Sequence, residues 1–159
     1  MDDADATLLE QLLQHERALQ FKSFSHADAL SLGLQLVEAA HARGKAVLVD
    51  IRRNGQHLFL HAMEGTTPDN ADWVRRKVNV AQRFGHSSFY VGQLYRTKGT
   101  TFEAHTGLDP REYAAHGGAF PLLLQGAGMI GTITVSGLPQ AEDHELVVTV
   151  LRAFLGGGA

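Results

Sequence analysis

Nine histidines are the first groups in this chain that could do chemistry. An imidazole can ligate a metal, pass a proton or hold haem iron. Metal ligation has no motif behind it: there is no His-Glu-x-x-His, and with no cysteine the chain has no thiolate ligand or thiol nucleophile. His57 and His61 lie four apart in a predicted strand and share one face with Phe59. Along an extended strand they stand about 13 Å apart, too far to hold one ion. His15, His26, His41, His105 and His144 read as surface or capping residues. His86, beside Gly85 at a helix end, and His116, beside Gly117-Gly118, are the histidines placed to serve a site.

Other groups are weaker candidates. Asp50 ends an apolar strand, where a lone carboxylate could act as acid or base but more often makes a structural hydrogen bond. Ser87 and Ser88 follow His86, yet a nucleophilic triad is defined by spatial roles that adjacency does not establish. No Gly-x-Ser-x-Gly elbow occurs, and no catalytic constellation can be assembled. Gly126-Ala127-Gly128-Met129-Ile130-Gly131 matches a dinucleotide fingerprint in letters only. That motif needs a helix to open at its end, and here the strand-like Thr132-Ile133-Thr134-Val135 follows. Arg75-Arg76-Lys77 forms a small basic cluster whose members must point to different sides of a helix. Trp73, Lys77, Val80 and Phe84 share the apolar side, so Lys77 borders the core and could face an anion.

The elements that carry these groups are legible from periodicity. A helix fits Thr7–Ala18, with capping-box spacing between Thr7 and Glu10 and a stripe of Leu8, Leu9, Leu12 and Leu13. The rest of the pattern does not need it, so it reads as an arm for a neighbouring subunit. Leu19–Phe24 reads as a short strand. A helix over His26–Arg43 has Ser25 as its N-cap and Gly44 as its stop. Ala46–Ile51 and His57–Met63 flank Asn54-Gly55, the residue pair that a type I′ hairpin turn demands. Thr67-Pro68 opens a helix that runs to Gly85. Ser87–Thr97 is helical, and Lys98–Gly118 is mostly a loop with a helical piece at Pro110–Ala115. Phe120–Leu124 and Ile130–Val135 are strands about a glycine-rich turn, and Pro139 starts the last helix. Gly156–Ala159 reads as a flexible tail. The sum is an α+β domain: a five-stranded sheet with helices on both faces.

Bulk properties set outer bounds. The chain has 159 residues, 44% hydrophobic and 19% charged, enough for one domain with a real core. A net charge of −3 gives no electrostatic footprint for nucleic acid. No apolar run is long enough to span a membrane, and the acidic start Met1-Asp2-Asp3 is unlike a secretory signal, so a cytoplasmic location is expected.

Several segments together resemble the GlcG-like family, also called the haem-degrading or haem-binding domain family. Val47-Leu48-Val49-Asp50 with Asn54-Gly55 and Leu58–Gly65 is similar to its hairpin. Lys77–Phe84 resembles its "KA.TA..F" helix, Gly117–Pro121 its "GG.P" segment, and Ile130–Gly137 its "VGAIGVSG" strand. Glu142–Glu145 resembles the acidic start of its last helix. The string Trp73…Arg76-Lys77…Arg83–Ser88 looks like a distinct branch with bacterial and fungal members. The chain departs from the family in having Ala62 where an arginine precedes Met63, and in the long segment Ser87–His116.

The resemblance covers about Leu19–Phe154 and implies a profilin-like α/β/α domain with a five-stranded antiparallel sheet. An arm (1–18), this domain (19–155) and the tail (156–159) then make up the chain. It also implies a homo-oligomer of even subunit number and binding of a small molecule, haem or a related tetrapyrrole. The ligand residues it points to are Lys77, paired with a ligand carboxylate, His86, His116, and Gly117 and Gly118, which allow close approach. The competing expectation is a non-enzymatic homo-oligomeric interaction module; haem degradation is implied by the family's name alone.

Overall fold

Side-chain alternation along one strand explains the layering. In the computed structural model, which describes residues 3–156, strand β1 (Leu48–Arg53) turns Val49 and Ile51 to one side and Leu48 and Asp50 to the other. Val49 and Ile51 join a core with Leu32 and Leu36 of α2 (His26–Ala42) and Leu146 and Leu151 of α6 (Gln140–Gly156). Leu48 packs instead with Val74 and Val78 of α3 (Pro68–Phe84). The sheet therefore lies between an α2/α6 layer and an α3 layer.

The sheet has four antiparallel strands in the order β2-β1-β4-β3, with β2 at Gln56–Ala62, β3 at Ala119–Leu124 and β4 at Gly128–Ser136. The expected fifth strand, Leu19–Phe24, is reduced to one parallel bridge between Phe21 and Leu124. A strand would send Phe21 and Phe24 to opposite sides. Here both bury in the same core, at 3% and 5% exposure, with ring centroids 5.0 Å apart. The chain bends to achieve this, and pairing stops.

Local signals did set local structure. Asn54 (φ 49°) and Gly55 (φ 82°) form the left-handed pair of the β1–β2 turn. Ser25 Oγ accepts from Asp28 N, and the Asp28 carboxylate accepts from Ser25 N, a reciprocal cap on α2. The glycine-rich segment leads into β4 and opens no helix.

Three expectations need correction. The first helix, α1, spans Asp3–Ala18, and Thr7 lies inside it, its hydroxyl donating back to Asp3 O. It also has a seat on its own chain: Leu12 is buried, Glu16 bonds His86, and Asp5 accepts from Gln93 of α4 (Ser88–Thr97). Within the expected loop, the helical piece is α5 (Phe102–Thr106), because Phe102 buries against Phe84 and Tyr95; Pro110–Glu112 makes only a turn. Finally, a β-bulge at Leu58 shifts the β2 register, so His57 and His61 do not share a face. His57 sits opposite Arg52 and reaches the buried Asp50 carboxylate at 3.2 Å, while His61 pairs with Val49. The expected tail falls mostly on 157–159, outside the described residues; Gly156 closes α6.

Candidate functional site

The end of β4 and the start of α6 leave a short connection, Gly137–Pro139, that must be tied down. Asp143, in the first turn of α6, does this: its Oδ1 accepts from Leu138 N at 3.0 Å. Its Oδ2 accepts from Lys77 Nζ of α3 at 3.0 Å, and the same ammonium donates to Val135 O at 3.3 Å. Both side chains are nearly sealed, at 4% and 2% exposure. Burial pushes the Lys77 ammonium below its usual range and the Asp143 carboxyl above its own, and their mutual attraction works against both shifts.

A cavity of about 260 Å³ opens beside this pair. Trp73 and Asn70 of α3 wall one side, Ser136 and Gln140 another, and His116 a third, with Asp69 also on its lining. Asn70 Nδ2 lies 3.4 Å from Ser136 Oγ, and Gln140 Oε1 accepts from Gly117 N at 3.0 Å. His116 meets the Trp73 ring edge-on at 5.4 Å, and the Arg76 guanidinium covers an indole face at 4.1 Å. Burial lowers the His116 pKa; the charges of Lys77, Arg96 and Arg76 add to this, and Glu103 opposes it. The imidazole is therefore neutral near pH 7, in a field dominated by cations.

The residues expected to serve a site divide. Lys77 and His116 line the cavity together. Lys77 already has a carboxylate partner, Asp143, within the protein. Gly117 and Gly118 are not on the cavity lining; they pack against Gln140 and Phe89, and against Val135 and Lys77, respectively. A Cβ at Gly118 (φ 138°) would run into Val135 O and stand 2.8 Å from Lys77 Nζ, so its close approach is to the protein's own backbone. His86 is elsewhere: its Nδ1 is 2.9 Å from Glu16 on α1, and that bond raises its pKa against the effect of burial. Arg75 is engaged with Asp72 and Glu112. Among the described residues, no cluster of three or more His, Asp or Glu could hold a metal ion.

Sequence reasoning missed Asp143, Ser136, Asn70 and Gln140. The one available signal was the acidic pair Glu142-Asp143 following Pro139, which marks a helix start but not an inward-facing carboxylate. It also took His144 for a surface or capping residue. His144 is buried at 4% exposure among Phe89, Phe120 and His15, with its Nε2 3.2 Å from His15 Nδ1.

Fold and cavity together define an antiparallel α+β domain with a polar cavity at one end of its sheet. The chain belongs to the family described as haem degrading protein HbpS-like, whose model matches residues 24–152. A UPF0303 protein of Streptomyces avermitilis is 52% identical over 147 residues, covering 92% of this chain and 90% of that protein. The crystal structure of the Ybr137w protein is similar at 36% identity and a TM-score of 0.86, over 94% of this chain and 88% of that one. A crystal structure of a PduOC–haem complex shares the fold at 20% identity and a TM-score of 0.68, over 82% and 94% of the two chains.

The residues present can be tested against haem. A neutral, solvent-exposed His116 offers a nitrogen of the kind that holds haem iron. The volume does not fit: 260 Å³ lies below the roughly 300–1,000 Å³ of pockets that enclose drug-sized ligands, and a tetrapyrrole is larger than most of these. A cavity of this volume would admit a side arm of such a molecule and not its ring.

Proposed function

We propose that this chain is a small-molecule-binding protein whose ligand occupies the cavity between α3, β4 and α6. The observation that carries this reading is a sealed ion pair forming one wall of an open polar cavity, with an aromatic ring and a neutral imidazole on the others. Haem or a related tetrapyrrole is the ligand that the family description and the haem complex of PduOC support. It would seat one acidic arm beside Lys77 and leave its macrocycle across the mouth, near His116.

The test is a haemin titration of tag-free protein followed by absorbance, with His116→Leu alongside. A saturable Soret shift that weakens in the variant supports the reading. A linear, unsaturable response overturns haem as the ligand. Saturation unchanged in His116→Leu and in Trp73→Ala overturns the cavity as its site.

A second reading is a homo-oligomer of even subunit number acting as an interaction module. It draws on Leu30 and Leu34, one turn apart on the outer face of α2 and 54% and 56% exposed. Light scattering on wild type and Leu30→Glu/Leu34→Glu checks it. An even-numbered mass that falls in the variant supports it, and a monomeric wild type overturns it.

A further inference from the structure

Hydrogen-bond capacity at the cavity is lopsided. An ammonium has three N–H donors. Lys77 has two acceptors in reach, Asp143 Oδ2 and Val135 O, which leaves one N–H for the cavity it lines. Gln140 uses its Oε1 to hold Gly117 N, so its amide presents N–H groups. Ser136 Oγ lies against Asn70 Nδ2 as an acceptor, which frees its own hydroxyl proton to donate. Asn70 uses its Oδ1 on Thr67 N and keeps a second N–H.

The acceptors are mostly spent. Asp143 is matched by Lys77 and by the amides of Leu138 and Gly137. Asp69 also lines the cavity but is exposed in the first turn of α3, where water and salt screen it. His116 is neutral and stands in a cationic field. Walls that are rich in donors and poor in free acceptors complement a ligand rich in acceptors.

Size narrows the class. A volume of 260 Å³ equals the liquid volume of about nine waters. That admits a small ring or short chain with one acidic group. Trp73 supplies an apolar flank for such a body.

From this donor set and volume we infer that the cavity is a site for a small planar monocarboxylate, with its carboxylate against Lys77, Ser136 and Gln140. The inference rests on the cavity being the ligand site, and it replaces the tetrapyrrole with a smaller acid.

Benzoate and its neutral isostere benzamide are the probes, read by isothermal calorimetry beside the haemin titration. Wild type binds benzoate at least tenfold more tightly than benzamide. Gln140→Glu keeps the acceptor for Gly117 N but replaces the amide donor with an anion. It weakens benzoate tenfold or more and leaves benzamide within twofold. Equal affinity for the two probes overturns the acid preference while leaving the cavity as a binding site. Haemin saturation without benzoate binding overturns the small-acid inference and leaves the tetrapyrrole reading standing. Benzoate binding without haemin saturation does the reverse. No binding of any probe overturns both.

Discussion

Replacing His144 by Phe should flatten the acid limb of this protein's stability. His144 is sealed between Phe89 of α4 and Phe120 of β3, with His15 of α1 as its polar partner; Glu145 beside it only partly offsets the positive neighbourhood. Among the described residues its Nδ1 has no hydrogen-bond partner. Burial, with the nearby His15 adding to it, pushes its pKa from 6.5 down to about 3. Between those values the unfolded chain binds a proton that the folded chain refuses, so stability rises with pH and is lost as pH falls. At pH 5 an unfolded histidine of pKa 6.5 is almost fully protonated, and the buried one is not. The cost is about 2 kcal/mol at pH 5, and little of it is present at pH 7.

The assay is urea unfolding of wild type and His144→Phe at pH 7 and pH 5. A phenyl ring suits the aromatic surroundings, so the variant folds. Wild type should lose about 2 kcal/mol more than the variant between these pH values. Burial and the charge of Arg152 also lower the pKa of His15, but that group remains in both proteins and largely cancels. Parallel pH profiles would refute the reasoning and show that His144 reaches water in the native state.

The Lys77–Asp143 pair makes a second prediction. Lys77→Met strands a buried carboxylate and should cost about 3–5 kcal/mol, which Asp143→Leu in the same chain should restore only in part, because Val135 O and the Leu138 amide then lack their partners. For a chain of this size that is a fall of roughly 6–20 °C in Tm by calorimetry, and a cost under about 1 kcal/mol would mean the pair is hydrated. Gly118→Ala, at positive φ and against Val135 O, should lose about 1–3 kcal/mol in the same assay. Deleting residues 1–18 should lower stability by at least the roughly 1.5–3 kcal/mol of burying Leu12, measured by urea unfolding; unchanged stability would show that α1 does not dock on its own chain.

What the sequence revealed was what neighbours in sequence decide. The β1–β2 turn needs two left-handed residues, and Asn54-Gly55 supplies them. The cap on α2 lies within four residues, Ser25 to Asp28. That Gly126–Gly131 leads into a strand and opens no helix followed from the β-branched residues directly after it. What stayed hidden depends on pairing across distance. A fifth strand at Leu19–Phe24 was plausible by composition, but the shared core of Phe21 and Phe24 outweighs extended geometry. The Leu58 bulge, which parts His57 from His61, leaves no mark in the alternation of types. Lys77 was legible as a cation on the apolar stripe of its helix, whereas Asp143, its partner 66 residues away, was not.

The cavity follows from how the fold solves a local problem. Near the end of β4 the Val135 carbonyl needs a donor, and the turn into α6 exposes the Leu138 amide, which needs an acceptor. One cation and one carboxylate meet both needs, but only if brought together in the interior, where their desolvation offsets much of what they gain from each other. An apolar pair of similar volume would satisfy neither backbone group. The ion pair is thus required by the chain ends it joins, and the ammonium's third N–H is left over. That leftover donor is held by α3, β4 and α6 at once, so it cannot swing away from the cavity. A binding group fixed in this way loses little rotational freedom when a ligand arrives, which favours tight recognition of a small acid by few contacts. The same rigidity means that ligand binding should protect the amides of Leu138 and Asp143 from hydrogen exchange more than those of α2, on the far face of the sheet.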